Sequence, residues 1–296
     1  MSKRKIRAYA AVGLLLVILA LFGYYIQGHP AVIHALRNIN PWLLIALIAC
    51  YGFMLVVWMG LYNATLRLCG EPLKKKENLL LTIYSTLANF FLPLQSGPGV
   101  RAAYLKKKYK VPISSYIFAS LVYYGIYAVI SAGLLFIGSS YWWLAVPATL
   151  MTAAVSLFVL TFAKKHFEKK NPNLKLDLSR ANLTRLLLLT LAQVLTQALI
   201  YGIELHTLNM HGTIRRYLSY TGAANFALFV ALTPGAIGFR EAFLEFSRQL
   251  HGFSTASILA ASLIDRSVFL LFLGILFIIM LSTHAHSKYK TILKSE

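Results

Sequence analysis

The chain is poor in acid. Nine Asp and Glu stand against 29 Lys and Arg, and charged residues make up 13% of its 296 positions, about half the share found in soluble domains. So few charges cannot cover a water-exposed surface of this size, which excludes an ordinary soluble globular protein. Cysteine is scarce too. Cys50 and Cys69 lie in or beside one apolar run, with no metal-ligand spacing and no disulfide framework. The sequence lacks a Gly-rich nucleotide loop, an HExxH and a GxSxG. It has no soluble stretch to hold a nucleotide. Nothing here supports an enzyme, and no cofactor is implied.

What fills the chain is apolar. Hydrophobic residues account for 58% of it, and uncharged runs cover 8–26, 41–66, 78–100, 111–163, 186–203, 217–239 and 267–283. Runs of this length point to an all-α polytopic membrane protein, one integral membrane domain over 1–296. The run 111–163 is long enough for two spans, with Gly138-Ser139-Ser140-Tyr141-Trp142-Trp143 as turn and aromatic anchor. The net charge of +20 does not indicate nucleic acid. Its bases sit in short loops between apolar runs, as the positive-inside rule expects, and such a face attracts anionic lipid headgroups.

The basic loops set a topology. Lys3, Arg4, Lys5 and Arg7 place the N-terminus in the cytoplasm, and the first apolar run reads as an uncleaved span. Spans are expected at about 8–26, 42–63, 113–137, 143–163, 186–206 and 255–282. Segment 78–110 conflicts with simple alternation, because crossing would put Arg101, Lys106, Lys107, Lys108 and Lys110 outside. A re-entrant hairpin removes the conflict, and the helix breakers inside ANFFLPLQSGPGVR fit one; such backbone survives at membrane depth only inside protein or along a water-filled cavity. Segment 217–250, broken at Thr233-Pro234-Gly235-Ala236-Ile237-Gly238, reads as a second hairpin entered from outside. On this topology 23 of the 29 bases are cytoplasmic, as is the C-terminus.

A repeat supports the same layout. Leu87-Ala88-Asn89-Phe90 matches Ala223-Ala224-Asn225-Phe226; Pro93, Gly97, Gly99 and Arg101 match Pro234, Gly235, Gly238 and Arg240; Ala119-Ser120-Leu121 matches Ala261-Ser262-Leu263. The halves, about 1–140 and 141–296, each hold three spans and one broken hairpin. An odd number of spans makes the second half an inverted copy, and inverted repeats with broken helices are a transporter pattern.

Both breaks precede a helix start. A start with proline in its first turn, near Pro98, offers free N–H groups to an anion, and Arg101 adds a planar fork suited to phosphate. Glu241 sits where it can satisfy the second helix start itself. Asp265 and Arg266 lie inside an apolar span, where charges face a partner or a cavity; Asp265 has Arg240 and Arg266 as partners within reach. Glu204, Glu245 and Arg248 are weaker candidates, readable as solvated interfacial residues. The bland alternative for the breaks is a pair of structural kinks with snorkelling arginines.

The motif Thr233-Pro234-Gly235-Ala236-Ile237-Gly238-Phe239-Arg240-Glu241 resembles the P-G-G-x-G-x-x-E signature of the lysylphosphatidylglycerol synthase transmembrane-region family, a flippase-like family. Asn89-Phe90-Phe91-Leu92-Pro93 with Gly97, Gly99 and Arg101 is similar to its first-half motif, and Asp265-Arg266 to its acid–arginine pair. The resemblance covers about 75–285. Ala236 departs from a common glycine, Tyr123-Tyr124 replaces an acid–arginine pair in the first half, and the synthase domain of bifunctional members is absent. The resemblance implies lipid translocation in a bacterial inner membrane, not aminoacyl transfer. The substrate expected is an anionic or modified phospholipid or a polyprenyl-phosphate-linked glycolipid. It would be held by Asn89, Pro93, Gly97, Gly99, Arg101, Asn225, Pro234, Gly235, Gly238, Arg240, Glu241, Asp265 and Arg266, with no metal. Two other readings stay open: a non-catalytic subunit presenting lipid to a separate synthase or glycosyltransferase, and a small-solute or ion transporter. A homo-oligomer is also left open. From sequence, Arg240→Ala is expected to lower transport without unfolding the protein.

Overall fold

The computed structural model describes residues 39–293 apart from 71, 93–95, 171–175, 209, 211, 231–235 and 237, together with residues 20, 24, 27 and 28. The expected first span falls almost wholly outside the described residues, as do Pro93, Pro234 and Gly235. The described residues are helices and their connections, with no strand.

Ten α-helices are described: α1 (Pro41–Leu68), α2 (Lys75–Phe91), α3 (Gly97–Tyr109), α4 (Ile113–Phe136), α5 (Ala145–Lys170), α6 (Arg180–Thr207), α7 (Ile214–Val230), α8 (Phe239–Phe246), the single turn α9 (Arg248–His251) and α10 (Thr255–Leu293). Five segments are long and apolar enough to cross a membrane: Pro41–Leu68, Ile113–Phe136, Trp142–Lys169, Arg180–Thr207 and Thr255–Ser282. They match the last five expected spans. Their ends run past the apolar runs at Arg67, at Lys164–Lys169 and at Arg180, because backbone hydrogen bonding continues where the hydrocarbon stops and a charge at a helix end costs little in water. α1 starts where Asn40 accepts the Trp42 N–H at 2.9 Å, with Pro41 in its first turn.

The remaining elements form two hairpins. α2 has 17 residues and α3 has 13, so each measures roughly 20–25 Å, short of a bilayer core of about 30 Å. They run antiparallel. At their open end Glu77 accepts from Lys108 Nζ at 2.6 Å and from the Tyr109 hydroxyl at 2.6 Å, and the Tyr104 hydroxyl also donates to it. Partial burial pushes the Glu77 carboxyl up, but these three donors outweigh it and hold it below the usual carboxylate range. At the closed end Asn89 Oδ1 accepts the Gly97 N–H at 2.7 Å. A Cβ on Gly97 would lie 2.5 Å from that oxygen, so the close turn requires glycine.

α7 and α8 form the second hairpin. Near its open end Ser219 Oγ lies 3.1 Å from the Leu250 carbonyl, and Arg216 Nε donates to the His251 carbonyl at 2.9 Å. Phe226 stacks on Phe243 deeper in. The two hairpins meet opposite ends of α4: α3 leads directly into its start, while Ser219 of α7 donates to the Leu135 carbonyl near its end. α4 is the strut between them. α5 packs on α4, and none of its described residues is buried.

His251 closes the second hairpin as a neutral imidazole. Its Nε2–H donates to the Leu244 carbonyl at 3.0 Å, and Nδ1 accepts the Phe253 N–H at 3.3 Å. Burial first, and then the Arg216 cation, lower its pKa to about 4. The unfolded value is about 6.5, so the unfolded chain takes up the proton first. Stability is full above about pH 6.5, falls by roughly 3 kcal/mol as pH drops toward 4, and levels below. Thermal unfolding in detergent should follow that slope, and His251→Gln should lose this part of it.

Candidate functional site

The hairpin tips, α1, α4, α6 and α10 enclose a cavity of about 240 Å³. From the first half Asn89 and Arg101 line it. From the second come Ala236, Arg240, Asp265 and Arg266. Residues up to 218 positions apart in sequence thus face one chamber, Tyr51 and Phe269 being the extremes.

The two halves treat charge differently. In the second, each charge that lines the chamber has an opposite charge as partner. Arg240 Nη1 donates to Asp265 Oδ2, and the Tyr51 hydroxyl donates to Asp265 Oδ1. Arg266 Nη2 donates to Glu241 Oε1 at 2.6 Å. Ser262 Oγ joins the pairs: it donates to Glu241, and Arg240 Nη2 donates to it at 3.0 Å. The other Glu241 oxygen accepts the Gly238 N–H at 2.8 Å, the helix-start role expected from sequence. Gly238 there has φ +81°, a conformation glycine alone adopts without strain. In the first half Arg101 has no carboxylate partner among the described residues. It is 4% exposed. Its Nε donates to the Tyr116 hydroxyl at 2.6 Å, its guanidinium lies 3.8 Å from the Tyr62 ring centre, and Nη1 has no hydrogen-bond partner among the described residues.

The walls between the charges are aromatic and amide. Tyr123 and Tyr127 of α4 donate to Gln193 and Gln197 of α6 at 2.8 and 3.2 Å. Trp58, Tyr62, Tyr124 and Tyr201 complete the lining. Sequence reasoning missed this wall. The available signal was one-turn spacing: Tyr123 and Tyr127, like Gln193 and Gln197, share a helix face inside an apolar span.

A second opening, a groove of about 800 Å³, lies between α4, α5, α7 and the start of α3. Leu121, Ala128, Val155 and Val159 make it apolar, and Ser96, Pro98 and Gly99 of the α3 start border it. Tyr124, Leu228 and Phe229 line both spaces.

The other expected site residues fall elsewhere. Asn225 is fully buried between α7 and α4, where Nδ2 reaches Ser131 Oγ at 3.3 Å, and it lines neither space. Gly97 and Gly238 shape helix starts. Glu241 acts behind Arg266. Of the weaker candidates, Glu245 and Arg248 form an exposed pair at 3.3 Å. Glu204 is not an interfacial solvated residue: it is 1% exposed, because α6 packs its last turns against α7 and α10 instead of facing lipid.

Several membrane-length helices around a buried, cation-bearing chamber with an apolar groove beside it define a polytopic membrane protein. Residues 9–277 match the model of the lysylphosphatidylglycerol synthase TM region, and the chain belongs to that family. No curated protein matches it at a significant level.

Proposed function

We propose that the protein moves an anionic lipid between the leaflets of a bacterial inner membrane and leaves it chemically unchanged. The lipid is an anionic or modified phospholipid or a polyprenyl-phosphate-linked glycolipid. One observation carries this: a buried cation with no counter-charge among the described residues, Arg101, faces a chamber that shares a wall of Tyr124, Leu228 and Phe229 with an apolar groove. Burying an unpaired guanidinium costs several kcal/mol, and a ligand phosphate offsets that cost with two parallel hydrogen bonds. A small anion has no use for an apolar groove. A lipid has a head for the chamber and chains for the groove.

Hairpins meeting opposite ends of α4 favour two inverted repeats, with re-entrant tips converging on the substrate and both termini in the cytoplasm. Rocking of the tips against the spans would expose the chamber to each side in turn.

The test is translocation of fluorescent phosphatidylglycerol in proteoliposomes. Gly99→Phe probes the groove, since a Cβ at Gly99 meets no atom within 4 Å and the ring projects into the groove border. A folded Gly99→Phe protein should translocate on the order of tenfold more slowly, a barrier increase of about 1.4 kcal/mol. An unchanged rate would reject the groove as the lipid's entry.

A further inference from the structure

Glu204 has no role in the chamber, yet it sits where a carboxylate is least expected. It lies in the last turns of α6, 1% exposed, with Oε1 lacking any hydrogen-bond partner among the described residues. It stands one turn past Tyr201 on α6, whose ring centre lies 5.7 Å from the Arg240 guanidinium, and Arg240 donates to Asp265 on α10. The other ionisable groups around it are Arg240 on α8, Tyr220 on α7, Tyr51 on α1 and Tyr201 one turn back on α6. His251, beyond the Tyr220 ring, is held neutral by its two hydrogen bonds. Arg266 is committed to Glu241.

The charge count is one cation, Arg240, between two acids. Two buried acids around one cation leave a negative charge out of water; one proton shared between them brings the group to zero net charge. Asp265 is thereby the link between the proton and the chamber: it lines the chamber and pairs with Arg240, beside which Glu204 stands.

We propose that Glu204 and Asp265 form a proton-binding site coupled to substrate occupancy, so that an anionic headgroup and a proton move together. When the headgroup takes Arg240, Asp265 loses its counter-ion. A second proton from solution then neutralises the carboxylate that the headgroup displaced. When the headgroup leaves, Arg240 returns to Asp265 and that proton is released. No bond other than O–H forms or breaks. The coupling rests on the transport function proposed above, whereas the shared proton does not, and the experiment separates them.

The shared proton is read by infrared spectroscopy of the purified protein at neutral pH. A protonated-carboxyl C=O band should be present and should vanish in Glu204→Gln, whose amide keeps the shape and polarity of the neutral acid. A missing band, or one that persists in a folded E204Q protein, overturns the site; a pH titration of the wild-type band decides the same question should the variant not fold. The coupling is read in phosphatidylcholine vesicles carrying labelled phosphatidylglycerol. An imposed pH gradient should speed translocation several-fold in the wild type and leave E204Q indifferent. Translocation that ignores the gradient in the wild type overturns the coupling but not the transport function. Complete absence of translocation overturns both, with the infrared band still deciding the proton site.

Discussion

Arg101→Met is expected to remove most lipid transport while leaving the protein as stable as before, or more so. The two effects have one cause. Among the described residues Arg101 has no carboxylate to orphan, so its loss removes a buried, uncompensated cation and leaves the Tyr116 hydroxyl and the Tyr62 face without their contact. Apolar replacement of buried charge is often neutral or stabilising. A headgroup phosphate, in contrast, loses its charge-assisted donors, worth about 1.5–3 kcal/mol, a fall of roughly 10- to 100-fold in rate. Arg101→Lys keeps the charge without the fork and should fall between. Translocation assays and thermal unfolding on the same preparations check this. Wild-type transport by a folded Arg101→Met protein would remove Arg101 from the site, and marked destabilisation would reveal an internal counter-ion.

Asp265 gives the opposite result. Asp265→Asn takes from the buried Arg240 the carboxylate it donates to, leaving it the buried Glu204 nearby and Glu241 at 3.9 Å, which already serves Arg266. Breaking such a pair costs about 3–5 kcal/mol, or on the order of 10 °C in Tm at roughly 2–4 °C per kcal/mol. Arg240→Ala strands Asp265 in the same way. Loss of transport in that variant would therefore report the fold as much as the headgroup, and the clean separation expected from sequence does not hold. The double replacement Arg240→Met with Asp265→Leu should recover much of the stability. A double mutant as unstable as the sum of the two singles would show that the pair is not coupled.

The spans were legible because hydropathy and loop charge are local properties. The helix breaks of the two hairpins were legible because proline and glycine cluster inside apolar runs there. The charge pairing was only half legible. Asp265 and Arg266 are neighbours in sequence but point about 100° apart on a helix, so they meet different partners, and Arg240 and Glu241 divide between them in the same way. Asn225 misled because a repeat conserves packing as well as chemistry. Tyr51, Tyr62 and Tyr201 were invisible, since a tyrosine in an apolar run reads equally as core or membrane belt. Tyr123 and Tyr124 looked like the loss of a charged pair and are instead wall residues of the chamber. Ala236 is a departure with a measurable strain: it holds φ +57°, the left-handed region where the family's glycine is at ease.

The pairing of charges in the second half also has an electrical consequence. Displacing one elementary charge through a 100 mV membrane potential involves about 2.3 kcal/mol of work. α8 and α10 carry Arg240 with Asp265 and Glu241 with Arg266, so a movement of these helices together displaces no net charge. Arg101 is different: no carboxylate among the described residues neutralises it. On the proposed cycle a singly charged headgroup and a proton enter together, so the loaded and empty forms carry the same net charge and membrane voltage does not favour one over the other.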